Sequence, residues 1–226
     1  MDCSYNFGSG AIKVILSFSG WFPLSEGEMN SFLKELAKAQ PNPGGGAAAA
    51  FGARLGLALL EKVVCLEGQR PVNPKGYQGL AWEETLARLR RLAELLRELQ
   101  EQDVQAYSRL TAARAAGDAG RLTAAAQEAV SCPEEIARQA AEALKLLAWA
   151  GERCRWHLLS DLLVGCEFLG AALRGAHHIA GANLPLVGNE ASRQGLARQL
   201  RQSWQRDEDL YRRVQGALLA RENGLI

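Results

Sequence analysis

The stretch QPNPGGGAAAAFG, Gln40 to Gly52, sets an asparagine between two prolines, runs three glycines together and then turns almost wholly to alanine. Three readings compete: a loop that grips phosphate, a membrane segment, or a helix start built for close contact. A Walker-type phosphate loop ends in Gly-Lys-Ser/Thr, and here alanine follows the glycines. The apolar run from Ala47 is cut by Arg54 and ends by Glu61, short of the ~20 residues that cross a bilayer. The third reading fits. Gly45, Ala49, Gly52 and Gly56 recur at steps of three and four, so a helix carries them on roughly one side. Small residues on such a face let another backbone approach closely. Pro43 sets the path into the helix. Gly44, Gly45 and Gly46 leave backbone N–H groups free at its start, where the dipole favours a carboxylate or carbonyl.

The rest of the chain from Met29 onward reads as helices. Asn30 or Ser31 caps a short helix carrying Phe32, Leu33 and Leu36. An apolar segment runs from the glycines to about Leu66, and the proline- and glycine-rich loop EGQRPVNPKGYQG follows. The spacing of Leu89, Leu92, Leu96, Leu99, Tyr107 and Leu110 predicts a long helix from about Trp82 to Ala115, broken by AAGDAG. A helix over about Arg121–Val130 comes next. Ser131 with Glu134 reads as a capping box and Pro133 as a first-turn residue, so a new helix is expected there, running on through Ile136, Ala140, Leu144 and Leu147. Another covers about Trp156–Ile179, then the loop GANLPLVGNE. A final helix carries Leu196, Leu200, Trp204, Tyr211, Val214 and Leu218 and ends near Gly224. No alternation marks a strand after Met29. The expected fold is all-α, a bundle of six or seven helices. Several helices are apolar around most of their circumference and must be covered, and a homodimer is the natural way to do so.

Composition narrows the function. The 226 residues carry a net charge of +1, so no basic footprint points to nucleic acid or to an acidic membrane surface. The five cysteines are odd in number and form no CxxC pair, as expected for reduced thiols in a cytoplasmic protein. Residues 1–28 differ from the rest. AIKVILSFSGWFPL has the apolar run of a signal peptide, but Asp2 and the lack of a basic residue before Lys13 argue against one. A natural start at Met29 is the alternative, with 1–28 an extension and 29–226 the helical domain.

Two carboxylates interrupt apolar faces. Asp103 continues the leucine series of the long helix by a step of four, and Asp161 lies between Leu158 and Gly165 with His157 four residues before it. A buried charge must be paired, hydrogen-bonded or protonated. One reading pairs each aspartate with a buried arginine such as Arg54 or Arg174. The other makes them part of a polar site inside the bundle. The histidines show no metal spacing, so no metal or cofactor is expected, and His177 and His178 read as solvated or core residues.

The order of these features resembles a known family. FLKELAKAQPNPGGGAAAA is similar to the opening signature of the cyclodeaminase/cyclohydrolase family. DVQAYSRLTAA, AVSCPEEIA, SDLLVG and GANLPLV follow its later segments in order, over about Asn30 to Arg198. The resemblance implies a dimeric all-helical domain acting on one-carbon folates. It would hydrolyse 5,10-methenyltetrahydrofolate to 10-formyltetrahydrofolate or release ammonia from 5-formiminotetrahydrofolate. It further implies Asp103 and Asp161 as catalytic groups. Gly44, Gly45, Gly46, Ser160, Asn183, Arg114 and His157 would bind the substrate. The chain departs from the family pattern at Arg155, His157 and Ile179, where relatives carry asparagines, and in lacking a lysine-proline pair after the Asp103 segment. The alternative is therefore a protein of the same fold that binds a folate or another ligand without catalysis.

Overall fold

A computed structural model describes residues 26–70 and 78–224. The apolar run of 11–24 and both prolines of the loop after Leu66 lie outside the described residues. The described chain forms six α-helices and no strand: α1 (Glu26–Leu36), α2 (Gly45–Gly68), α3 (Gln78–Ala116), α4 (Ala119–Arg153), α5 (Leu159–Asn183) and α6 (Glu190–Glu222). Short 3-10 turns at Trp156–Leu158 and Leu184–Leu186 bracket α5. The all-α expectation holds.

The small-residue face of α2 packs on α5, antiparallel. Gly45 faces Ile179, Ala49 faces Gly175 and Gly52 faces Ala172, so one set of numbers rises as the other falls. At Gly56 the two helix backbones meet closely. A Cβ there would lie 2.8 Å from the Gly165 carbonyl oxygen, which is backbone and cannot step aside. Around this pair α3, α4 and α6 complete the main core, with Leu57, Leu60, Leu89, Leu96, Leu144, Leu147, Leu162 and Leu173 each almost wholly buried. Each such leucine contributes roughly 1.5–3 kcal/mol on burial. A smaller cluster of Leu110, Ala126, Val130, Ala180, Val187 and Leu200 closes one end of the bundle.

Neither Asn30 nor Ser31 caps the first helix, because α1 spans Glu26–Leu36 and holds both inside it. Two further expectations about helix limits need correction. No break falls at Ser131: α4 is one helix through Pro133. Ser131 does not cap it but donates to the Glu128 carbonyl within the same helix (3.2 Å). The cap is Asp118, which accepts from the Arg121 N–H at 3.0 Å. Proline inside a helix removes one hydrogen bond, here the one to the Ala129 carbonyl. That carbonyl is satisfied from outside, by Asn183 Nδ2 at 2.7 Å. The second correction concerns His157, which stands in the 3-10 turn ahead of α5 rather than in the helix.

Residues Trp156–Leu186 form the one described segment long and apolar enough to cross a membrane by length and composition (mean hydropathy 1.3). Half of its most apolar window is buried in the bundle, against α2, α4 and α6. Val164 and Phe168 on α5 and Leu66 on α2 remain exposed.

Candidate active site

The site grows from the loop that opened the sequence. Asn42 ties that loop to α3, its Nδ2 donating to the Val104 carbonyl (3.2 Å) and to Ser108 Oγ (2.8 Å). Gly44 then caps α2 with extended backbone and no side-chain acceptor, so the first N–H groups of α2 depend on what approaches them. The Asp103 carboxylate approaches. A Cβ at Gly46 would fall inside that carboxylate, so glycine here is a condition of the contact. Burial raises the Asp103 pKa above the usual aspartate value, and a hydrogen bond from the Ala47 N–H offsets part of the rise. No ion pair with Asp103 forms among the described residues.

Asp103 lines a cavity of about 200 Å³ together with Asn42, Gly44, Gly45, Gly46, Tyr107, Ala129, Ile179 and Asn183. Four elements meet there: the start of α2, the middle of α3, α4 at Ala129 and the last turns of α5. The cavity joins a carboxyl group, a carboxamide and the positive end of a helix. That set can hold a polar, partly cationic group and exchange a proton with it.

The structure brings together Asp103, the glycines 44–46 and Asn183. It does not bring the other sequence candidates to this cavity. Asp161 lies in the first turn of α5, twenty-two residues before Asn183 and so about 33 Å away along the helix. It pairs with Lys62 at 2.8 Å. Ser160 and His157 are exposed beside it, and the His157 ring meets Trp156 edge-on at 6.2 Å. Arg114 is exposed near the end of α3. Among the described residues neither arginine pairs with Asp103 or Asp161: Arg54 donates to Gln100 Oε1 (2.8 Å), and Arg174 pairs with Glu208 (3.7 Å) and lies over the Tyr211 ring. Buried His177 contacts Asp207 through Nε2 at 3.0 Å, while His178 is exposed, as read from the sequence.

The departures from the family pattern fall in different places. Arg155 has a structural partner: its backbone N–H and Nε both donate to buried Glu67 Oε1, at 3.1 and 2.8 Å. Ile179 stands in the cavity wall, its Cδ1 2.8 Å from where a Cβ on Gly45 would lie. Asn42 escaped the sequence reading. Its place between two prolines was the only local signal.

An all-helical domain with this cavity at the head of its glycine-rich helix defines the class. Residues 28–202 match the formiminotransferase-cyclodeaminase family, and the chain belongs to that family. The fold is also similar to that of formiminotetrahydrofolate cyclodeaminase from Thermotoga maritima. The TM-score is 0.77 at 24% identity, over 85% of this chain and 96% of that one. Comparison with curated protein sequences gives no match.

Proposed function

We propose that this protein is a one-carbon folate enzyme, hydrolysing 5,10-methenyltetrahydrofolate to 10-formyltetrahydrofolate or releasing ammonia from 5-formiminotetrahydrofolate. One observation carries the reading: the half-buried Asp103 carboxyl at the start of α2, without an ion pair among the described residues, in a cavity shared with Asn183. Both reactions pass through an electron-poor N–C–N carbon. Ionised, Asp103 stabilises the amidinium charge; protonated, it supplies a proton to the nitrogen that departs. Its raised pKa brings the two forms nearer in free energy at working pH. A cavity of about 200 Å³ is smaller than the roughly 300–1,000 Å³ of drug-sized ligand pockets. It suits the one-carbon end of a folate, with the remainder lying in the opening. No cofactor is needed for either step.

The test is optical. 5,10-Methenyltetrahydrofolate absorbs in the near ultraviolet and its hydrolysis product does not, so purified protein should speed the loss of absorbance. Ammonia release from 5-formiminotetrahydrofolate tests the other reaction. A second reading, a folate-binding protein without catalysis, is favoured by Ile179, an apolar group in the cavity wall where the family resemblance expects asparagine. Binding without turnover would establish it; neither binding nor turnover would end both readings.

The exposed Leu66, Val164 and Phe168 on the α2–α5 side supply the face for a homodimer in the cytoplasm. The four described cysteines are free thiols, in keeping with that compartment. Phe168→Glu should halve the mass seen by light scattering. A monomeric wild-type protein would contradict the dimer.

A further inference from the structure

Asn183 reaches the cavity from the last turn of α5, and what fixes it is an irregularity in α4. Pro133 has no N–H, so the Ala129 carbonyl one turn earlier lacks its helical donor. Ala129 is 3% exposed, so its carbonyl has little access to bulk water. An unpaired buried carbonyl is costly, and Asn183 Nδ2 supplies the missing hydrogen bond at 2.7 Å. The chemistry of that bond also settles which way the carboxamide faces. A carbonyl only accepts, so the nitrogen must point at Ala129 and Oδ1 must point elsewhere. No described residue donates to Oδ1, and both Ala129 and Asn183 line the cavity.

We infer that Pro133 is a positioning residue for this site: by withholding a helical donor from Ala129 it holds the Asn183 carboxamide with Oδ1 free to accept from an N–H of the bound ligand. The inference rests on the folate reading, since a reduced pterin ring presents such N–H donors. It adds a residue that touches no ligand. In this account the proline of α4 and the asparagine of α5, fifty positions apart in sequence, act as one unit.

Pro133→Ala returns an N–H to α4, and alanine is the better helix former. The restored bond draws the Ala129 carbonyl back along the helix and loosens Asn183. The KM for 5,10-methenyltetrahydrofolate should rise ~3- to 10-fold, the worth of one hydrogen bond, with kcat changed less. Asn183→Ala should raise KM at least as much, and the double variant should match Asn183→Ala alone. A purely structural role for Pro133 would leave KM within twofold, or make the two effects multiply; either result overturns the inference. A second readout needs no substrate. In protein labelled on asparagine, the Asn183 side-chain amide protons should exchange with solvent faster in Pro133→Ala than in wild type, and unchanged exchange overturns the coupling. Where wild type shows no folate turnover or binding, the functional reading fails and the exchange rate alone decides the coupling. Pro133→Ser replaces Pro133→Ala if the latter does not fold.

Discussion

At one end of the α2–α5 pair Asp103 meets no cation among the described residues; at the other, Glu67 meets two. Burial pushes both carboxyl groups towards the neutral form. For Asp103 the Ala47 N–H works against it, and the pKa stays raised. For Glu67 the hydrogen bonds from Arg155 and Arg70 outweigh burial and hold the pKa below the usual value. The two ends therefore depend on pH in opposite senses. A raised carboxyl contributes stability only at acid pH and loses it as pH rises through its folded value, so Asp103 weakens the fold at neutral pH. A lowered carboxyl contributes above its unfolded value and loses that stability as pH falls through the folded one, so Glu67 strengthens the fold at neutral pH. The Glu67 end, with the neighbouring Lys62–Asp161 pair, is built to hold helices together. The Asp103 end keeps a carboxyl group in a state the fold alone would not favour, which is what a reactive site requires.

The contrast breaks most sharply at Gly46. Gly46→Ala should displace the Asp103 carboxylate and cut turnover ~100-fold, as misplacing a catalytic group by about an ångström does. The absorbance assay measures the loss, and circular dichroism should show the helices intact. Glu67→Gln should behave in the reverse way. Urea unfolding at pH 7 should show a loss of about 1–3 kcal/mol, the cost of losing hydrogen bonds to charged groups, while turnover by the folded protein holds within twofold. The deficit against wild type should shrink once pH falls below the ordinary glutamate value of 4.5, where wild type loses the same contribution. Lys62→Ala should matter least. Its pair with Asp161 is half exposed on the lysine side and worth at most ~1 kcal/mol, read from the same unfolding curves.

Much of the Asp103 end was legible in the sequence, because local rules govern it. The step of four from Leu99 put Asp103 on a buried face. The glycines announced a bare helix start, and the small residues behind them announced the close approach to α5. The sequence did not show that Asp161 lies away from the Asp103 cavity, for a physical reason. A carboxylate in the first turn of a helix is favoured by the dipole there, whatever else it does, and nothing in the pattern of α5 shows that Lys62 from α2 reaches it. The unbroken course of α4 was hidden for a similar reason. Pro133 reads as a helix start on local grounds, and the donor that lets the helix pass through it sits on α5. Contacts that join distant segments decided each case that local periodicity did not.

If chemistry occurs at the Asp103 end, Asp103 and not Asp161 governs turnover. The decay of 5,10-methenyltetrahydrofolate absorbance, measured side by side for Asp103→Asn and Asp161→Asn, tests it most directly. Asp103→Asn should lose at least ~100-fold in kcat while its melting temperature at pH 7 holds or rises, since the change removes a half-buried carboxyl whose ionised form burial disfavours. Asp161→Asn should keep turnover within twofold. The opposite outcome, an active Asp103→Asn and an inactive Asp161→Asn, would contradict the account and move the site to the other end of the helix pair.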